Sequence, residues 1–327
     1  MLKFFQSIFG NKTTTGSYSE SLVKAAIERA VDGTAPWIRA VSGYKRKLRP
    51  AVVRAIDHVV ALVDGMAPAI IVTPGSYGSD PLLRTFFISN TDMWEIIDSD
   101  RNLIDFQQRK AMALPQVFAL LTMEKHEKIV LGAELSGNIV QRDVPQIVVS
   151  YEAHKLIDPA ASDDETRRQL KRRTFDHLLS LALRHIAIVK TERDNLERHR
   201  TLLQAKLNLL RRGEWGFDRS ATDDRLDVAG AEESLARIEE QLLELGGDDR
   251  MLELYLGIVI DVIGRPEEHL WIRKETFFVD HMGIKRSEAV DNAQEVTLDL
   301  ICDSEERSLA IALVAISVDV IQNSSRA

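Results

Sequence analysis

The chain has 327 residues, a formal net charge of -8 and 45% hydrophobic residues. That length suits two domains, or one domain with a large insertion, and the acidic balance argues against a general nucleic-acid binder. The single cysteine, Cys302, excludes an intrachain disulfide and a zinc site of several thiolates; in its apolar setting it reads as a buried, inert thiol.

No apolar run reaches the ~20 residues that span a bilayer, and the N-terminus lacks the pattern of a secretory signal. The expected location is cytoplasmic, with a peripheral contact at the inner face of a membrane. That contact is assigned to residues 1–18, an amphipathic segment and tether. Phe4, Phe5 and Ile8 share a helical face with Phe9 beside it, and a polar stretch from Asn11 to Ser17 follows. The competing expectation is that this helix packs on its own domain.

Residues 19–160 read as an N-terminal α/β region. A helix is expected over 19–31, stopped by Gly33 and Pro36, and a second is opened by Pro50 and ended by Gly65. Between them lies the basic run Lys45 to Arg49. Ala69 to Thr73 predicts a strand, and Asp92 with Glu95 has capping-box spacing for a helix, followed by another over Arg101 to Arg109. Ile129 to Leu135 and Val144 to Tyr151 alternate around Ser136-Gly137-Asn138 and predict an antiparallel hairpin, with 116–124 as a third strand.

Residues 161–264 carry the clearest pattern. Phe175, Leu179, Ala182, Ile186, Val189, Leu196, Leu203, Leu207 and Leu210 follow four-three spacing, interrupted by Arg193 and Arg200. A second stripe runs through Val228, Ala231, Leu235, Ile238, Leu242 and Leu245, and a third helix, capped by Asp248 or Asp249, runs to Gly264. Residues 163–212 hold thirteen Lys or Arg against seven Asp or Glu, whereas 214–250 hold four against twelve. Opposite charge and a reversal near Trp215 predict an antiparallel hairpin that pairs Arg198 with Glu239 and Arg193 with Glu244.

After Pro266, residues 265–327 read as a β-rich region, packed with the N-terminal region in one version of the reading. Leu309 to Val318 is a short Ile/Val/Ala run, read as a strand in preference to a buried helix. The expected fold class is therefore α+β and helix-rich, with a long, coiled-coil-like helical hairpin between two smaller α/β regions with antiparallel strands.

The common phosphate, dinucleotide, hydrolase-elbow and metalloprotease motifs are absent, and no histidine pair has metal-ligand spacing. No catalytic residue, metal or cofactor is expected. Two anion-binding candidates stand out: the loop with Gly75, Ser76, Gly78 and Ser79, whose backbone could form a nest, and the basic run with Arg167, Arg168, Arg172 and Arg173. Trp215 and Phe217 in the hairpin turn are the candidate partner-binding residues, since aromatics dominate interface hot spots. The expected function is a non-enzymatic interaction or scaffold protein using the hairpin as an arm, with an unknown protein, a second copy or a membrane surface as partner. The alternative is an enzyme with a ligand site near the Gly75–Ser79 loop.

Overall fold

A computed structural model describes residues 18–109, 114–136, 139–212, 223–280, 282–286 and 293–317. The chain forms a mixed α+β fold with one sheet of seven strands and a helix of 50 residues. It divides into two compact units: 57–175 with 267–317, and 18–56 with 176–266, among the described residues.

The first unit is built on the sheet. Its strands are β1 (Ile70–Val72), β2 (Gln116–Ser136), β3 (Ile139–Ala160), β4 (Leu270–Asp280), β5 (Ile284–Arg286), β6 (Ala293–Asp303) and β7 (Ser308–Ser317). The antiparallel pairings β2–β3, β3–β5, β5–β4, β4–β6, β6–β7 and β7–β2 close into a ring, and β1 adds in parallel to the last part of β7. The ring is closed only over part of its longest strands: beyond Met123, β2 pairs with β3 alone among the described residues. Strands from both ends of the sequence thus share one sheet.

The hairpin of β2 and β3 is long, and β3 is bulged. Its register against β2 shifts at three places, and at each β3 carries a non-glycine residue at positive φ: Asp143 (φ 59), Ala153 (φ 54) and Asp158 (φ 52). An extra residue in the left-handed region bends and twists the strand, which lets a 22-residue strand curl into a ring instead of running flat.

One face of the ring carries Val117, Leu121, Met123, Val149, Tyr151, Phe277, Val296, Leu298, Leu300 and Cys302. They share a core with Leu83 and Phe86 of α4 (Pro81–Phe86), Met93 and Ile97 of α5 (Asn90–Ser99) and Leu103 of α6 (Arg101–Arg109). Burial of each large aliphatic side chain contributes about 1.5–3 kcal/mol. The cap of helix α5 lies three residues before the expected one. Ser89 accepts from the Asp92 N–H, and the Asp92 carboxylate accepts from the Ile88 N–H, so Asp92 closes the box and does not open it.

The second unit is helical among its described residues. Helix α1 (Glu20–Gly33), capped by Ser19, buries Leu22, Val23, Ala26, Ile27, Ala30 and Val31. The unit also holds the first part of α2 (Tyr44–Asp64), the part of α7 (Asp163–Arg212) after 175, α8 (Asp223–Leu245) and α9 (Asp248–Gly264). Leu48, Val52, Ile56, Leu178, Leu181, Leu256, Val259 and Ile263 complete the core. A Cβ on Gly33 would stand 3.2 Å from Leu179 Cδ1, and Arg29 forms a two-pronged ion pair with Asp176.

Helix α2 starts six residues earlier than Pro50 suggests. Gly43 (φ 69) turns the chain, and its carbonyl accepts from the Arg46 and Lys47 amides, so the basic run is helical and Pro50 lies inside the helix. Helix α9 begins after Gly246 (φ 80) with Gly247 at its cap and no side-chain capping bond; Asp248 and Asp249 are helical.

Candidate functional site

Three places gather polar or exposed apolar groups. The first lies on the ring face that holds the first unit's core. Lys125 and Glu127 of β2, Glu275 of β4 and Lys285 of β5 share the parity of the buried residues, because Lys125 pairs with Tyr151, Glu127 with Val149 and Lys285 with Val279. Lys125 Nζ donates to Glu127 Oε1 and Glu275 Oε1 at 2.6 Å each, and Lys285 Nζ donates to Glu127 Oε1 at 3.1 Å. Both ammonium groups also stand over the Phe277 ring, 5.0 and 5.2 Å from its centroid.

The electrostatics of this cluster are mutual. The Lys125 hydrogen bond holds the Glu127 carboxyl below its usual range; burial pushes Glu275 up, but Lys125 and Lys285 outweigh it and lower the net value. Burial, assisted by Glu275 and Glu127, pushes the Tyr151 phenol up, and its hydroxyl has no hydrogen-bond partner. Two cations and two anions that satisfy each other leave no net charge to recruit a ligand, so the cluster is a structural network within the ring.

The second place is the pair of heptad stripes. From Ile186 to residue 208, the shielded positions of α7 are Ile186, Val189, Arg193, Leu196, Glu197, Arg200, Leu203 and Leu207. On α8, between 228 and 243, they are Val228, Ala231, Ser234, Leu235, Ile238 and Leu242. Both sets reproduce the stripes read from the sequence. Within α7, Arg193 donates to Glu197 at 3.0 Å and Arg198 to Asn195 Oδ1 at 2.9 Å; Arg200 Nε is buried without a partner. Apolar side chains outside the stripes remain in solvent: Ile188 is 60% exposed, Leu202 66% and Leu243 76%.

No protein-family model, no curated protein and no solved structure matches this chain. Chemistry and geometry alone must therefore carry any reading of function.

The third place is the set of anion-binding candidates. Gly75 precedes a single helical turn, α3 (Ser76–Ser79), whose groups bond to their own backbone. Ser76 Oγ donates to the Thr73 carbonyl and accepts from the Thr73 N–H, and Ser79 Oγ donates to the Ser76 carbonyl. The arginine run is held by the protein's own oxygens. Arg167 meets Asp163 and the Val63 and Ala67 carbonyls, Arg168 meets Glu165, and Arg173 meets Asp158. Arg172 lies in the same turn of α7. These two groups of residues are not brought together around one ligand.

Trp215 and Phe217, like Phe4, Phe5, Ile8 and Phe9, lie outside the described residues. Among the described residues no helix is long and apolar enough to cross a membrane. Sequence reasoning missed the Lys125–Glu275 network, because its members lie 150 residues apart; alternation along β2 was the available signal, since Met123, Lys125 and Glu127 share one face.

Proposed function

We propose that the protein acts by binding a protein partner, without catalysis, through an antiparallel helical hairpin formed by α7 and α8. The single observation that carries this reading is the pairing of a narrow shielded stripe on each helix with apolar residues left in solvent beside it. A lone amphipathic helix would expose its stripe; a stripe shielded at alternating three and four spacing is what a second helix produces. The charge excess of opposite sign on the two helices supports the antiparallel pairing.

The exposed residues indicate the kind of partner. Leu181, Ile188, Asn195 and Leu202 recur every seven residues along α7, so they form a second track beside the first. Leu181 is buried, whereas Ile188 and Leu202 are open. A track of this period fits an amphipathic helix laid along the stem, with Asn195 fixing its register. Trp215 and Phe217 stand, by sequence, at the turn of the same hairpin.

A photo-crosslinking residue placed at Leu202 tests the reading in host cells. The expected product is a crosslink to a helical segment of another protein, lost when Ile188→Glu is added while the melting temperature holds. A crosslink to a second copy would identify self-association. No crosslink above that of a control at Lys190, or one that ignores Ile188→Glu, removes the track from the binding surface.

A further inference from the structure

Strand β7 changes partners along one edge. It pairs with β6 through Ser308–Ile311 and with β1 through Val314–Ile316. Between these pairings, Ala312 and Leu313 have a neighbour only on the β2 side. Successive residues of a strand direct their N–H and C=O groups to opposite edges, so one of the two turns both groups into the fork.

A pocket of about 220 Å3 opens there, lined by both residues, with Ile70, Leu82 and Phe86 among its apolar walls. Its polar lining is Lys274, Thr297 and Asp299. The Thr297 hydroxyl is engaged with that of Thr276 at 2.8 Å. Asp299 is only 9% exposed, and its carboxylate takes no hydrogen bond or ion pair among the described residues. Lys274 sits directly across the ladder from Asp299, yet its exposed ammonium forms no ion pair with it.

A largely shielded carboxylate that meets no protein donor is open to one supplied from outside, as a hydrogen bond or a cation. Ordered water could do so, but the other walls are largely apolar and favour an apolar body beside the charged group. Among the described lining residues Asp299 is the one acid, which is too few oxygen ligands for a divalent metal. The volume is below the ~300 Å3 at which drug-sized sites begin, which limits the ligand to a small molecule.

We propose that this fork pocket binds a small molecule carrying a protonated amine on a compact apolar body, with the amine on Asp299 and the body against Ile70, Leu82 and Phe86. Free amines and apolar amino acids share that chemistry. Lys274 at the polar wall distinguishes them, because only the amino acid offers it a carboxylate. The site is independent of the helical track, and neither result bears on the other.

The test uses the full chain with three probes of similar shape, 3-methylbutylamine, L-leucine and 4-methylpentanoate, followed by saturation-transfer NMR and titration. The amine should bind, with 4-methylpentanoate at least tenfold weaker. Asp299→Asn should weaken the amine at least tenfold. If L-leucine binds more tightly than the amine and loses that advantage in Lys274→Met, the ligand is an amino acid; if it binds more weakly, the ligand is a free amine. Absence of amine binding at millimolar concentration, equal binding of 4-methylpentanoate, or undiminished binding by Asp299→Asn overturns the proposal. Should Asp299→Asn fail to fold, Leu82→Trp fills the pocket: loss of amine binding supports the site and retention overturns it.

Discussion

Arg200→Leu is the perturbation that best separates a two-helix stem from a solitary helix. Arg200 occupies a shielded stripe position, and its buried Nε has no hydrogen-bond partner. Leaving such a donor unsatisfied costs about 1–3 kcal/mol. A leucine removes that cost and adds apolar burial, at most about 1.5–3 kcal/mol. The arginine's aliphatic stem already covers part of the same surface and the site is only half-buried, so the burial gain is discounted to about 1 kcal/mol. The net expectation is a stabilisation of about 2–4 kcal/mol, confined to α7 and α8. The two compact units need not unfold together, so a single melting temperature would blur the effect. Native-state hydrogen exchange on peptides from 190–210 and 228–243 reads it locally, as slower exchange in both helices. Unchanged or faster exchange, or stabilisation of α7 alone, would refute the hairpin. Arg193→Leu should gain less, because Arg193 already donates to Glu197.

Ala153→Gly should stabilise the first unit by about 0.5–1 kcal/mol. The left-handed region costs a non-glycine residue ~1–2 kcal/mol, and glycine's larger unfolded entropy returns ~0.5–1 of that. The exposed Ala153 methyl forfeits little packing, whereas Asp158→Gly at a similar φ should bring no gain because Asp158 pairs with Arg173; urea denaturation of both variants checks the contrast. Acid should weaken the same unit. Glu127 and Glu275 have lowered values in the fold, so their contribution is complete above the unfolded carboxyl range near ~4.3 and is lost as pH falls through the folded values. A pH titration of urea midpoints should show this loss below about pH 4, and Lys125→Met should flatten it; an unchanged acid limb in that variant would remove the network as its cause.

The helices were legible because their signals are local. Alternation of three and four along α7 foretold which side chains are shielded as far as Leu207, and Ser89, Gly43 and Gly246 shifted only the ends of neighbouring helices. The hairpin of β2 and β3 was equally plain, since Ser136 pairs with Ile139 across the expected turn. The ring was not legible. Ile70 pairs with Val314 and Met123 with Ala310, contacts between opposite ends of the chain that no spacing in the sequence announces. Bulges are hidden for the same reason: Asp143 and Asp158 tolerate positive φ, but Ala153 carries no compositional mark of it. Asp299 reads in sequence as the outward residue of an alternating strand, and only the fork beside β7 places it in a pocket.

The treatment of charge differs across the molecule in a way that bears on function. Where charged groups are inside, they are mostly answered: Lys125 by two glutamates, Arg29 by Asp176, Arg167 by Asp163 and two carbonyls. A chain that can satisfy interior charges so completely has the means to do so elsewhere, and burial without a partner always costs stability. Arg200 in the shielded stripe of α7 and Asp299 in the fork stand against that background. In the proposed stem such an arginine costs stability but penalises the wrong register and the wrong neighbour, which matters only if α7 must discriminate among helices. A fork carboxylate weakens the empty pocket but rewards a cation that enters it, which matters only if something does. Stability sacrificed at those two positions is the physical argument for proposing recognition along α7 and at the fork.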